Sequence, residues 1–562
     1  MITLARSIRY FVFCTLIIGA SAVFVVNAKT DDERPNIIIA MVDDMGWSDI
    51  GSYGGEISTP NLDKLASNGV RFSQFYNAGR CYPTRASLMT GLHPHQTGIG
   101  GSTNSPKGLT GDTGTFGYRG FMNRNSATLA EVLGSAGYHT YMTGKWHLGY
   151  HTPDRWPLQR GFERFYGIIS GASSYFAPYG SRGLTLDNEA LPTPEGDYYT
   201  TDAFTDYAIK FIEEQSDDKP FFLYLAYTAP HWPLHAKEKD IQKFVGKYKN
   251  VGWDKLREQR YKRMQELGVI DPKLGLSPRD EGARAWDEIS GKQKEQLDYR
   301  MAVYAAQIYA VDYNLGRLIK TLKKLDKFDN TLIMFLSDNG GCAEPYTDLG
   351  GGKFGDINDP SKGGAVSYGQ GWANASNTPL RKFKVWVNEG GISTPFIAHW
   401  PKGIVKTKNQ WIRTPSYLPD IMPTLVELAQ TEYPKKLNGY DIQPMEGQSF
   451  AKALKTGKLK QQEWMFWEHM KHRAVRYGKW KAVWEKELGE WRLYDIEKDR
   501  NEMINLAEQQ PKLFKKMTDK WEQWAYRAHV LPYPKKLDVP YAPAITWPAY
   551  QTNRQTHNRR KK

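Results

Sequence analysis

Residues 36–44 read NIIIAMVDD, six consecutive apolar residues after Asn36 and then two aspartates. A continuous apolar run of this length is typical of a strand buried on both faces, as in the parallel sheets of α/β proteins. Ligands of such sheets bind beyond the carboxyl ends of the strands. The stretch therefore predicts a central strand and, at Asp43 and Asp44, part of a functional site.

Similar runs recur along the chain and alternate with helical patterns. The predicted strands are Asn36–Val42, Tyr138–Thr143, Pro220–Tyr227, Thr331–Ser337 and Thr394–Trp400, and the predicted helices are Asn61–Asn68, Thr128–Ala136, Asp202–Gln215 and Asp298–Lys324. This alternation predicts an α/β fold in which helices cover both faces of one sheet. The charged segment from about His235 to Lys294 has no strong strand pattern, and we interpret it as an insertion over one edge of the sheet.

The two ends of the chain differ in residue pattern from the region of the predicted sheet. Residues 1–28 carry Arg6 and Arg9 before an apolar run that ends in Val-Asn-Ala, which is typical of a cleaved signal peptide and short for a membrane anchor. We predict a catalytic domain over residues 29–433. Aromatic-rich strands and a helix near Pro511–Arg527 predict a small C-terminal domain over residues 434–535, and residues 536–562 form a basic tail.

The net charge and the sequence motifs limit the classes of substrate and partner that we expect. The formal charge of +14 falls to +12 without Arg6 and Arg9, which favours an anionic substrate. We find no nucleic-acid-binding motif, so nucleic acid is not an expected partner. The signal peptide predicts a periplasmic or secreted protein with no stable membrane insertion after cleavage.

Polar side chains follow four of the predicted strands, where the strand ends of one sheet would bring them together. They are Asp43 and Asp44, then Lys145 and His147, then His231, then Asp338 and Asn339. The oxygen ligands among them favour a hard cation, calcium or magnesium, over zinc. His93 and His95 in GLHPHQTG are interpreted as structural.

The stretch CYPTRASLMTG, Cys81–Gly91, resembles the signature of the formylglycine-dependent (type I) sulfatases, Cys-x-Pro-(Ser/Thr)-Arg followed by Thr-Gly. Thr84 stands where serine is commoner. The motifs VDDMGWSD, TGKWHLG, APHWP, SDNGG and a lysine ahead of EGG follow in the family's order, between about Arg34 and Arg527. The resemblance, to arylsulfatases and exported bacterial polysaccharide sulfatases, implies an alkaline-phosphatase-like mixed sheet sandwiched by helices, with a smaller C-terminal α+β domain.

The resemblance also implies the chemistry. A maturation enzyme would oxidise Cys81 to formylglycine (3-oxoalanine), whose hydrated form attacks sulfur. One calcium ion would be held by Asp43, Asp44, Asp338, Asn339 and residue 81. Arg85 and Lys145 would assist the nucleophile, His147 would be the base that releases sulfate, and His231 the acid that protonates the leaving alcohol. The acid would be aided by a lysine, and among Arg381, Lys382 and Lys384 the spacing to Gly390 favours Lys384.

Three alternatives stay open. Cys81 and Cys342, the two cysteines after the signal peptide, could form a disulfide in an oxidising compartment. A phosphonate or phosphate monoester hydrolase of the same superfamily would share much of the site, and a catalytically dead glycan-binding protein would share the fold. For a sulfatase, we expect a sulfated carbohydrate, an algal polysaccharide such as ulvan or its oligosaccharides, with glycosaminoglycans and aryl sulfates as other possibilities.

Overall fold

The computed structural model describes residues 33–101, 114–362 and 364–534. The predicted signal peptide and basic tail lie outside the described residues. The strands are β1 Asn36–Val42, β2 Val70–Tyr76, β3 His139–Lys145, β4 Arg164–Ile168, β5 Thr185–Leu186, β6 Glu189–Ala190, β7 Phe221–Ala226, β8 Thr331–Ser337, β9 Ser393–His399, β10 Gln410–Ile412, β11 Ser416–Tyr417, β12 Lys436–Leu437, β13 Tyr440–Asp441, β14 Trp464–His469, β15 His472–Tyr477, β16 Trp480–Glu485 and β17 Glu490–Asp495. The helices are α1 Pro60–Ser67, α2 Cys81–Thr90, α3 Leu129–Ser135, α4 Thr200–Glu213, α5 Glu238–Ile241, α6 Gly252–Glu266, α7 Gly291–Lys324, α8 Gln370–Ser376, α9 Glu389–Ile392, α10 Ile421–Leu428, α11 Ala451–Thr456 and α12 Pro511–Arg527.

A large mixed sheet forms the centre of the molecule. Its order is β10-β2-β9-β8-β1-β7-β3-β4-β5-β6, and β11 also pairs with β2. Strand β1 runs parallel to β7 and β8, and β3 runs parallel to β7 and β4, whereas β9 runs antiparallel to β8 and β2. The ends of β1, β3, β7 and β8 therefore meet at one edge, and the predicted fold class is confirmed.

Strand β1 shows why the apolar runs are continuous. Ile38 and Ala40 pack in a core with α4 and α7, while Ile37, Ile39 and Met41 pack in a second core with α2, α3 and α10. Each fully buried side chain of this size contributes about 1.5–3 kcal/mol to folding. Both faces of the sheet are thus covered by helices, as the sequence predicts.

Several elements differ from the sequence-based prediction. Strands β2 and β4 were not predicted, and β2 carries an irregularity in its pairing with β9 between Phe72 and Phe75. Helix α7 begins at Gly291 instead of Asp298, because Ser290 and Gln293 form a capping box at its start. The segment interpreted as an insertion contains helices α5 and α6.

A four-stranded antiparallel sheet, β14-β15-β16-β17, forms the small C-terminal unit. One face packs against α12 through Ala482, Leu493 and Trp521. The other face packs against the catalytic core, where Trp467 and Val483 meet Tyr76 and neighbouring residues. Among the described residues, no helix is both long and apolar enough to cross a membrane.

Candidate active site

The strand ends bring the predicted residues together at one edge of the sheet. Asp43 and Asp44 follow β1, Lys145 ends β3, and Asp338 and Asn339 follow β8. Cys81 is the first residue of α2. All ten predicted site residues are buried, with at most 5% of each residue exposed; they are Asp43, Asp44, Cys81, Arg85, Lys145, His147, His231, Asp338, Asn339 and Lys384.

Acidic and amide side chains form the centre of the site. The backbone N–H of Asp44 donates to Oδ1 of Asp338 at 3.1 Å, and Nδ2 of Asn339 donates to Oδ1 of Asp44 at 2.7 Å. Ligand atoms of Asp43, Cys81 and Asp338 lie within 4.8 Å of one another, as do those of Asp43, Asp44 and His231. Asp43 belongs to both groups, so its carboxylate lies beside oxygen atoms of Asp338 and of Asp44.

Two of those oxygens are unsatisfied. Oδ1 of Asp43 and Oδ1 of Asn339 are buried and accept no hydrogen bond from the residues that the structure describes. A buried acceptor without a partner is costly, and a hard cation that binds oxygen would satisfy both atoms. The residues present therefore fit a divalent cation such as calcium.

Three buried cations surround the carboxylates. Nη2 of Arg85 lies 3.1 Å from Oδ2 of Asp338, and Nζ of Lys145 lies 2.6 Å from Oδ2 of Asp43. Nζ of Lys384 lies 2.8 Å from Oδ1 of Asp44. Three cations thus balance three carboxylates, so that a bound divalent cation would make the site positive and attractive to an anion.

The titratable groups respond to burial and to these neighbours. Burial alone would raise the pKa of Asp43, but Lys145, His231 and Arg85 lower this pKa well below its usual value and hold the carboxylate ionised. Burial and the charge of Asp43 raise the pKa of Asp338 well above its usual value. A divalent cation beside both groups would favour the ionised form of each.

The two histidines face the carboxylates from different loops. Nδ1 of His231 lies 2.6 Å from the carbonyl oxygen of Trp232 and must carry the proton, which leaves Nε2, 3.4 Å from Oδ2 of Asp44, to face the site. His147 packs edge-on against Tyr82, with 5.8 Å between ring centroids. Burial lowers the pKa of His231 to about 4, and burial with Lys145 and Arg85 lowers the pKa of His147 well below its usual value.

Cys81 and Cys342 are both free thiols, so the disulfide is not formed. Cys342 packs instead with Trp232 and Ala172. Oγ1 of Thr84 donates to the carbonyl oxygen of Asp338 at 2.7 Å and accepts from the backbone N–H of Ala78 at 3.0 Å. A serine hydroxyl would make the same two bonds, and this explains how threonine is accommodated.

The sequence did not reveal a buried charge cluster that links the C-terminal sheet to the site. Nζ of Lys481 lies 2.8 Å from Oε1 of Glu389 and 2.8 Å from Oε1 of Glu502. Nε of Arg500 lies 2.9 Å from Oε2 of Glu389. Because Glu389 begins α9, five residues after Lys384, this cluster fixes the segment that carries Lys384. In the sequence, Lys481 alternates with apolar residues of a short strand and resembles a solvent-facing lysine.

His93 and His95 contact residues of the C-terminal unit and none of the aspartates of the candidate site. Nε2 of His95 lies 2.7 Å from Oε2 of Glu468, and His93 packs edge-on against Trp524 at 5.0 Å between centroids. These contacts fit the structural interpretation of the two residues.

Comparison with known proteins agrees with the fold and the motifs. The sulfatase family matches residues 35–431, and the family described as N-sulphoglucosamine sulphohydrolase, C-terminal, matches residues 382–526. The arylsulfatase of Klebsiella aerogenes is 36% identical, over 75% of this chain and 92% of that protein. An uncharacterised sulfatase of Schizosaccharomyces pombe is 34% identical, over 88% of this chain and 94% of that protein.

Among solved structures, that of Ps i-CgsB in complex with k-i-k-neocarrahexaose is similar, with a TM-score of 0.64 and 25% identity over 89% of this chain and 98% of that one. The family match spans the whole central sheet and every strand end that carries a site residue. This protein therefore belongs to the sulfatase family.

Proposed function

We propose that the protein hydrolyses sulfate esters of a sulfated carbohydrate through a formylglycine made from Cys81 and a calcium ion. As a member of the sulfatase family, it acts on sulfate esters. The roles of formylglycine and calcium are supported mainly by one observation. The ligand atoms of Cys81, Asp43 and Asp338 lie within 4.8 Å of one another. A nucleophile and an oxygen-rich cation site thus share one buried point.

The proposed formylglycine and calcium ion would supply chemistry that the unmodified side chains lack. Residue 81, oxidised and hydrated, would offer a geminal diol, and calcium held by Asp43, Asp44, Asp338, Asn339 and residue 81 would offset negative charge on the sulfate. Lys145 and Lys384 place ammonium groups beside the same point and would bind sulfate oxygens. Arg85, fixed between Asp338 and the carbonyl oxygen of Lys145, would hold the nucleophilic oxygen.

His231 and His147 would each serve a different proton transfer, one to the leaving alcohol and one from the diol. With Nδ1 committed to the carbonyl oxygen of Trp232, His231 would deliver a proton from Nε2 to the leaving oxygen of the ester. A bound sulfate adds negative charge beside Nε2 and favours the protonated ring. Both ring nitrogens of His147 are buried and have no hydrogen-bond partner among the described residues, so either can accept the proton of the diol.

For the substrate, we propose a sulfated algal polysaccharide such as ulvan, or its oligosaccharides. The net positive charge and the 18 tryptophans suit an anionic sugar, because aromatic rings stack on sugar faces and basic residues attract sulfate. The similar solved structure of Ps i-CgsB holds a neocarrahexaose. Residues 1–28 support export to the periplasm or medium, which N-terminal sequencing of the mature protein in each fraction would test.

The test is sulfate release from a panel of sulfated algal polysaccharides, glycosaminoglycans and an aryl sulfate, after co-expression with a formylglycine-generating enzyme. The peptide that contains Cys81 should show the mass of an aldehyde, and sulfate should be released from at least one glycan. Cys81→Ala should abolish release, while Cys342→Ala, which removes the other buried thiol, should retain it.

Two results would contradict the proposal. Hydrolysis of phosphonate or phosphate monoesters without release of sulfate would favour the related hydrolases. Glycan binding without turnover, in protein whose residue 81 is an aldehyde, would favour a dead glycan-binding protein.

A further inference from the structure

Arg182 lies in the loop that follows β4, at the edge of the sheet where the candidate active site lies. Its Nη1 donates to the carbonyl oxygen of Ala172 at 2.5 Å, and Oγ of Ser173 donates to the carbonyl oxygen of Arg182 at 2.7 Å. These bonds join the end of the loop to its beginning. The guanidinium is therefore held in place instead of extending freely into solvent.

The guanidinium is held next to the catalytic centre. A Cβ atom at Gly171 would lie 3.3 Å from Nε2 of His147 and 3.8 Å from Nη1 of Arg182, so the two side chains flank the same glycine. Burial lowers the pKa of Arg182, while Tyr150, Tyr179 and Cys81 act in the opposite direction. Arg182 also contributes to lowering the pKa of His147, after burial and nearer cations. The positive charge of Arg182 thus acts on the position where the nucleophile stands.

Arg182 has no place in the reaction described above, in which Lys145 and Lys384 already face the sulfate that is cleaved. A guanidinium is a planar fork that suits carboxylate and sulfate oxygens, and it keeps its charge when partly buried. A charged fork fixed at the rim of an anion-binding site is suited to recognising a second anionic group.

We propose that Arg182 binds a second anionic group of the substrate, a carboxylate or an additional sulfate, close to the sulfate ester that is cleaved. The inference rests on the proposed sulfatase function and narrows its substrates to saccharides with two or more negative charges near the scissile bond. Loss of Arg182 should therefore weaken turnover of doubly charged saccharides more than turnover of a singly charged sulfate ester.

The test compares Arg182→Gln with wild type on pairs of substrates that differ by one charge. One pair is a sulfated disaccharide that contains a uronic acid and its carboxyl-reduced form. The other is a disulfated monosaccharide and its monosulfated form, and an aryl sulfate serves as a third measure. Because hydrogen bonds to charged groups are the strong ones, we expect kcat/KM on the doubly charged member of one pair to fall by about 10- to 100-fold, mainly through KM.

Controls separate recognition from damage to the fold. Arg182→Lys keeps the positive charge but not the planar guanidinium, so its kcat/KM on the doubly charged substrate should fall less than that of Arg182→Gln. Arg164→Gln is the matched control, because Arg164 begins β4 at the opposite edge of the sheet, where it pairs with Asp187 at 3.3 Å. It should leave the preference for the doubly charged substrate unchanged. In a Cys81→Ala background, calorimetry should show the same selective loss of binding in Arg182→Gln.

The outcomes are distinct. A loss confined to the uronate pair identifies a carboxylate, and a loss confined to the disulfated pair identifies a second sulfate. Equal losses on every substrate, aryl sulfate included, or no loss on any, would overturn the role of Arg182. If wild type with an aldehyde at residue 81 releases sulfate from none of the substrates, the proposed function itself fails and the inference with it.

Discussion

Replacing Lys481 by methionine tests how the C-terminal sheet supports the site. The ammonium of Lys481 lies 2.8 Å from both Glu389 and Glu502, and its side chain is 1% exposed. Methionine keeps the apolar stem but leaves two buried carboxylates with one cation fewer. Removing one partner of a buried ion pair costs roughly 3–5 kcal/mol of unfolding free energy, which we expect for Lys481→Met at pH 8.

The protonation states of the two carboxylates refine this expectation. Burial raises the pKa of Glu389, but Lys481 and Arg500 lower it to about 2, whereas burial raises the pKa of Glu502 above its usual value. Glu502 is therefore the group that takes up a proton when Lys481 is lost, and the destabilisation should shrink as the pH falls from 8 to 5. The double variant Lys481→Met with Glu502→Gln should recover part of the loss, because it removes the carboxylate that is left without a cation, whereas Glu389 keeps its pairing with Arg500.

The assay is urea unfolding followed by tryptophan fluorescence, together with kcat/KM of the matured enzyme. Because Glu389 fixes the segment that carries Lys384, we expect kcat/KM to fall about tenfold or more at temperatures where the variant is still folded. Lys479→Met is the matched control, because Lys479 forms a partly exposed pair with Asp495 and should cost less than about 1 kcal/mol. Equal losses in the two variants, or no recovery in the double variant, would contradict the role assigned to the Lys481 ion pairs.

Three further outcomes are expected. His231→Ala should reduce turnover of a sugar sulfate by roughly 10²–10⁴-fold but affect an aryl sulfate little, whereas His147→Ala should trap covalent sulfate with either substrate; rapid-quench kinetics would detect both, and the reverse pattern would exchange the two roles. Chelation should abolish turnover and calcium restore it, with Asp338→Asn needing more calcium for the same rate; rescue by zinc alone would contradict the ligand assignment. Burial lowers the pKa of His399 to about 4, so its neutral form stabilises the fold above about pH 6.5 and roughly 3 kcal/mol is lost as the pH falls towards 4. His399→Gln should flatten the dependence of unfolding free energy on pH in that window, and an unchanged slope would exclude this cause.

The sequence predicts best where local pattern and tertiary structure agree. Strands β1, β7 and β8 are buried on both faces, so their apolar runs are unbroken. Strand β2, which reads VRFSQFY, carries three polar residues, and the shift in its pairing register between Phe72 and Phe75 interrupts the alternation that would reveal it. The meeting of the three aspartates, Asn339, Lys145 and the two histidines followed from their positions at or just after the ends of parallel strands, whereas Cys81 and Arg85 lie on α2.

For other residues the signal in the sequence is weak or absent. Lys384 follows no strand, and only its spacing to Gly390 distinguished it from its neighbours. Lys481 and Arg182 owe their positions to contacts with segments far away in the chain or to the closure of a loop. A single sequence gives no signal for either, because an isolated basic residue usually lies in solvent.

The burial of Cys81 limits the time at which the proposed oxidation of its thiol could occur. Only 4% of the residue is exposed, and all ten residues of α2 are buried, so an enzyme of protein size cannot reach the thiol in the native state. The proposed oxidation of Cys81 would then compete in time with folding, and the active fraction of a preparation would be set by which process is faster. Rapid overproduction would leave natively folded molecules that are permanently inactive, and their number would reflect the synthesis rate rather than any defect in the chain.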